Sequence, residues 1–85
     1  MTESEVLTFL RYPSAQLVDY ALSLVNLTWQ ESLAIKLCGR QKYTQEKAAE
    51  LACYSVDAMH LWYRSGIKKL LSTWGSLEWI RKIIN

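Results

Sequence analysis

The stretch from Tyr43 to Arg64 constrains this chain more than any other. Thr44 is placed to cap a helix, its hydroxyl accepting an unpaired backbone N–H of the first turn. Ala48, Ala49, Leu51 and Ala52 then form a small apolar face. Ser55 is a second capping residue, and Met59, Trp62 and Tyr63 follow it at helical spacing. Two capped helices with almost no linker must cross steeply, which requires small side chains at the crossing. Ala49 and Ala52 supply them. The spacing predicts a helix-turn-helix.

The rest of the chain reads as further helices. Thr2 or Ser4 caps a first one carrying Val6, Leu7, Phe9 and Leu10. Pro13 stops it, because proline disfavours helical geometry in the residue before it. Ser14 caps a second helix, about residues 15–25. Thr28 and Glu31 have capping-box spacing ahead of Leu33, Ala34, Ile35 and Leu37, and Gly39 is the expected stop. The helix that starts at Val56 is predicted to reach about Thr73. Met59, Trp62, Tyr63, Gly66, Ile67, Leu70 and Trp74 mark its inner face; Asp57, His60, Leu61, Arg64 and Lys68 mark its outer one. Gly75 ends it and Ser76 caps a last helix, with Arg81 and Lys82 near the C-terminal end of its dipole. The expected fold is all-α, a single domain built as a small bundle of five to six helices. It divides into N-terminal helices (1–26), a helix-turn-helix core (27–73) and a C-terminal helix (76–85).

Only 85 residues are available, 51% of them apolar, with four Trp and five Tyr. A chain this short buries roughly two-thirds of its unfolded surface. Its rings therefore exceed what one core is expected to hide. Trp74, Trp79, Ile80, Ile83 and Ile84 are the expected surface for a partner or a second copy. Cys38 and Cys53 read as buried, reduced apolar residues. The acidic start is unlike a secretory signal, and no apolar run approaches the ~20 residues of a membrane span. These features predict a cytoplasmic protein with no membrane contact.

Charge is divided unevenly. Residues 1–35 hold one basic and four acidic side chains, and residues 36–85 hold nine basic and four acidic ones. The basic half contains the helix-turn-helix, and positive charge is what a phosphate backbone attracts. An enzyme site lacks its parts. There is one His, no zinc-ligand spacing between the cysteines, and no Gly-rich phosphate loop among three glycines. Glu46 and Glu50 fit a solvated helix surface. No metal or cofactor is expected. The outer face of the 56–73 helix is the expected working surface. Ser55, Asp57, His60, Leu61, Arg64 and Lys68 would lie at bases or in the groove. Arg40, Lys42, Thr44, Lys47 and Lys69 would hold phosphates.

From Leu27 to Leu70 the chain resembles region 4 of sigma-70-type factors and the related C-terminal domain of LuxR-type regulators. Leu27-Thr28 with Glu31 is similar to the opening of those domains. Thr44-Gln45-Glu46-Lys47-Ala48-Ala49-Glu50-Leu51 is similar to their second helix, with Ala48 where Ile is usual. Ser55 and Gly66-Ile67-Lys68-Lys69-Leu70 fit their third. Ala49, Cys53 and Met59 fall on the general pattern of small residue, turn glycine and aliphatic residue. Cys53 takes the glycine position, where a left-handed backbone costs a side-chain-bearing residue about 1 kcal/mol. The resemblance implies a transcription-related protein of bacterial or phage type that binds double-stranded DNA, alone as a dimer or beside RNA polymerase. The competing expectation is an interaction or dimerisation module that keeps the fold without reading DNA. It is motivated by Val56, Asp57 and Leu61 on the outer face and by the Trp-rich C-terminal part.

Overall fold

Side-chain caps set most of the helix starts. The structure, a computed structural model, describes residues 1–84; Asn85, the last residue of the 76–85 segment, lies outside them. Helix α1 (Glu3–Leu10) opens on a capping box. The Thr2 hydroxyl accepts from Glu5 N at 3.2 Å, and Glu5 Oε1 accepts from Thr2 N at 2.9 Å. Ser14 caps α2 (Ala15–Ser23). Thr28 and Glu31 form the second capping box, at 2.9 and 3.1 Å, and start α3 (Trp29–Ala34). Thr44 caps α4 (Gln45–Ala52) and Ser55 caps α5 (Val56–Trp74). A short α6 (Glu78–Ile84) follows. Among the described residues the secondary structure is entirely helical, and the six helices form a small bundle.

The ends depart from expectation more than the starts. Helix α2 stops two residues early. Gly39 does not end the Thr28 helix. From Ile35 to Arg40 the coil widens into a π-helical segment, closed by Gln41 N donating to Lys36 O at 3.0 Å. Gly39 lies buried inside it. A Cβ there would come within 2.9 Å of Leu10 Cδ1, so any larger residue would have to displace the Leu10 side-chain tip. The segment stops at Lys42, which takes a left-handed φ of 62°, while Tyr43 N donates to Leu37 O at 3.0 Å.

Two apolar clusters result. The larger one gathers Val6, Phe9 and Leu10 of α1, Val18 and Ala21 of α2, Ile35, and Ile67, Leu70 and Trp74 of α5, with Ile80 of α6. The smaller one lies beneath the helix-turn-helix: Ala34, Cys38, Ala48, Ala49 and Met59. Gly66 lets α3 approach α5, since a Cβ there would meet Ile35 Cγ1 at 2.8 Å. No helix among the described residues is long and apolar enough to cross a membrane.

Of the C-terminal residues expected at a partner surface, Trp74 and Ile80 are core instead. Trp74 is 0% exposed, its indole N–H donating to Ala21 O at 3.0 Å and its ring edge-on to Phe9 at 5.1 Å. Ile80 is also fully buried. Trp79, Ile83 and Ile84 pack partly buried against the same cluster. The reason is the tight connection after α5. Gly75 and Leu77 continue the hydrogen bonding back to Leu71 and Trp74, which turns α6 onto α1. Cys38 is buried as expected; Cys53 is exposed.

Candidate nucleic-acid interface

Helix α4, the turn Cys53–Ser55 and α5 form a helix-turn-helix whose turn is set by backbone hydrogen bonds. Cys53 N donates to Glu50 O at 3.3 Å and Tyr54 N donates to Ala49 O at 3.0 Å. These are the paired bonds of a Schellman ending, with Cys53 left-handed at φ 60°, ψ 39°. A left-handed residue at this point is what the spacing predicts. Its side chain leaves the helix toward solvent, which is why Cys53 is exposed while Cys38 is not. Ala49 and Met59, on either side of the turn, are buried together.

The outer face of α5 is open. Asp57, His60, Leu61, Arg64 and Lys68 are all exposed, and α1 reaches this face through Glu3 beside Arg64. Leu61, Arg64, Ser65 and Lys68 line a shallow depression along this face. The hydroxyls of Ser55 and Thr44 accept from Ala58 N and Lys47 N, each at 3.1 Å, and keep their own protons to donate. Asp57 sits in the first turn of α5, where its charge complements the helix dipole. His60 Nδ1 lies 2.9 Å from Gln45 Oε1. The bond ties α5 to the first turn of α4. Gln45 was not among the residues expected from sequence, because nothing in the spacing sets the two side chains against each other.

The cations divide into free and engaged groups. Lys42 and Lys68 have no ion pair among the described residues, and Lys47 makes a loose one with Glu50 at 3.7 Å. Arg64 lies 3.7 Å from Glu3 at the start of α1, both half exposed. Two expected phosphate ligands are engaged elsewhere. Arg40 donates to Leu10 O at 2.6 Å and Tyr12 O at 3.0 Å, capping the end of α1. Arg11 answers with a bond from Nε to Gly39 O at 2.9 Å. Lys69 sits 2.7 Å from Glu31 and 3.2 Å from Asn26 O. Both cations satisfy acceptors on neighbouring elements.

Glu31 does more than its capping-box spacing announced. It is nearly fully buried and accepts from Thr28, Ser65 and Lys69. Burial alone would raise its pKa. The Lys69 and Ser65 hydrogen bonds, the Thr28 backbone and the Lys69 charge outweigh burial and hold it at about 2. One carboxylate thus starts α3 and latches it to α5. An aromatic row was also not foreseen. Trp29 lies 6.2 Å from Tyr54, and Tyr54 is edge-on to Trp62 at 4.9 Å.

No protein-family model matches the chain, and no curated protein or solved structure does.

Proposed function

We propose that the chain is a DNA-binding protein of bacterial or phage transcription, with a sigma-region-4-like helix-turn-helix that reads through α5. The observation that carries this reading is the exposed outer face of α5, where His60, Arg64 and Lys68 stand four residues apart. An arginine there can pair bidentately with guanine O6 and N7 in the major groove, and His60 Nε2 can reach a base edge. Lys68, Lys42, Lys47 and the Thr44 hydroxyl are the phosphate contacts. Such a protein acts in the cytoplasm, beside RNA polymerase or as a dimer. The test is a fluorescence titration of duplex DNA at low salt. Binding that weakens steeply as salt rises supports the reading; absence of salt-dependent binding at micromolar protein refutes it.

One observation favours a second reading, that of a protein-interaction module. Leu61 is 65% exposed at the centre of the same face, and Val56 is exposed at its start. An apolar partner helix would cover these residues. Under that reading, replacing Arg64 and Lys68 with Ala leaves association intact; under the first, it weakens DNA binding.

A further inference from the structure

We propose that α5 selects a short run of adjacent base pairs through three chemically different side chains: Asp57 reads a cytosine, Leu61 a thymine and Arg64 a guanine. The proposal rests on the reading of α5 as a DNA-recognition helix and names what that helix selects. Asp57, Leu61 and Arg64 are the second, sixth and ninth residues of α5. Helical spacing puts them on one side, and all three are exposed. The opening turns of a recognition helix are the part that meets base edges.

A face built only to hold phosphates would be basic throughout. This one sets an acid and an apolar residue among its cations. Asp57 has no ion pair among the described residues. Its carboxylate accepts hydrogen bonds and donates none. The major groove offers donors from cytosine N4 and adenine N6 alone. Adenine places its N7 acceptor beside that donor, which repels a carboxylate, so cytosine is the better partner. Leu61 is 65% exposed and can neither donate nor accept. The apolar group that the major groove presents is the thymine 5-methyl. Arg64 donates as a fork, which matches guanine O6 and N7. Its pair with Glu3 is loose at 3.7 Å and half exposed, and the two acceptors of guanine replace it. Asp57 and Arg64 stand about 10 Å apart along the helix axis, the length of about three base-pair steps. The selected run is therefore about four pairs long, with C·G at the Asp57 end, T·A between and G·C at the Arg64 end.

Sequencing the DNA that the full chain retains from a randomised duplex pool at low salt tests this. The wild type enriches one site containing the three pairs. Asp57→Asn changes the C·G position to A·T, because an amide pairs with adenine N6 and N7, and leaves the other positions alone. Leu61→Ser erases the thymine preference alone. A second measurement leaves the protein unaltered: the selected duplex is remade with deoxyuridine at the Leu61 position, which removes one methyl group. The wild type binds this duplex about fourfold more weakly than the parent, and Leu61→Ser binds both equally. Retention of no DNA overturns this proposal together with the DNA-binding reading. Retained DNA without an enriched site, or a site unchanged in both variants and indifferent to uracil, overturns this proposal alone and leaves DNA binding standing.

Discussion

Cys53 is where local strain and function meet at the scale of one residue. The turn between α4 and α5 requires a left-handed residue, and the chain supplies one with a side chain. Cys53→Gly removes that strain but adds freedom to the unfolded chain, so it is expected to stabilise the fold by no more than roughly 0.5 kcal/mol. Denaturant unfolding measures the change. Glu31 is the opposite case, a residue whose surroundings favour its charged form. Its folded pKa of about 2 lies below the 4.5 of an unperturbed carboxylate. The unfolded chain therefore takes up the proton first as pH falls. The stability tied to Glu31 is fully present above about pH 4.5 and is lost progressively toward pH 2. Glu31→Gln should cost about 1–3 kcal/mol at neutral pH. In thermal melts the variant should show a shallower loss than the wild type across that acid window.

Among the elements, helix starts were more legible than helix ends: Gly75 ends α5 as expected, whereas α2 stops early and Gly39 does not end the Thr28 helix. Five predicted starts were carried by a residue acting on its own first turn: Thr2, Ser14, Thr28, Thr44 and Ser55; the expected Ser76 cap was not, since its hydroxyl donates to Thr73 O at 2.8 Å and α6 opens at Glu78. Such signals are local in sequence. The π-helical segment Ile35–Arg40 is not local, because its Gly39 faces Leu10 from a helix 29 positions earlier. The same distance hid the roles of Arg40 and Lys69. Each looked like a free cation in a basic half, and each serves a carbonyl or carboxylate of a remote element. The outer face of α5 was legible because helical periodicity alone sorts exposed from buried positions there. Gly66 shows how element packing overrides local propensity. Alanine would favour the helix by about 1 kcal/mol, yet its Cβ would press into Ile35. Gly66→Ala is expected to destabilise by about 1–3 kcal/mol despite that gain, as read from the denaturation midpoint.

Across the whole molecule, the large core and the helix-turn-helix divide the work. Trp74, Ile80 and their neighbours fasten α6, α1 and α2 into the cluster that supports α5 from behind. The rings that were expected to seek a partner are consumed in that support, because α6 folds back onto α1. This leaves α5 a rigid helix with one face free and one modest restraint on it, the Glu3 carboxylate beside Arg64. An exposed pair of this kind contributes about 0.2–1 kcal/mol, so it modulates Arg64 without withdrawing it. DNA binding through α5 is the central claim. The most direct measurement is a parallel titration of duplex DNA at low salt with the wild type, Arg64→Ala/Lys68→Ala and Glu3→Gln. DNA binding through α5 predicts salt-dependent binding by the wild type, at least roughly tenfold weakening in the double variant, and tightening of up to about threefold in Glu3→Gln. Equal affinities for all three, or no binding by the wild type, would contradict it.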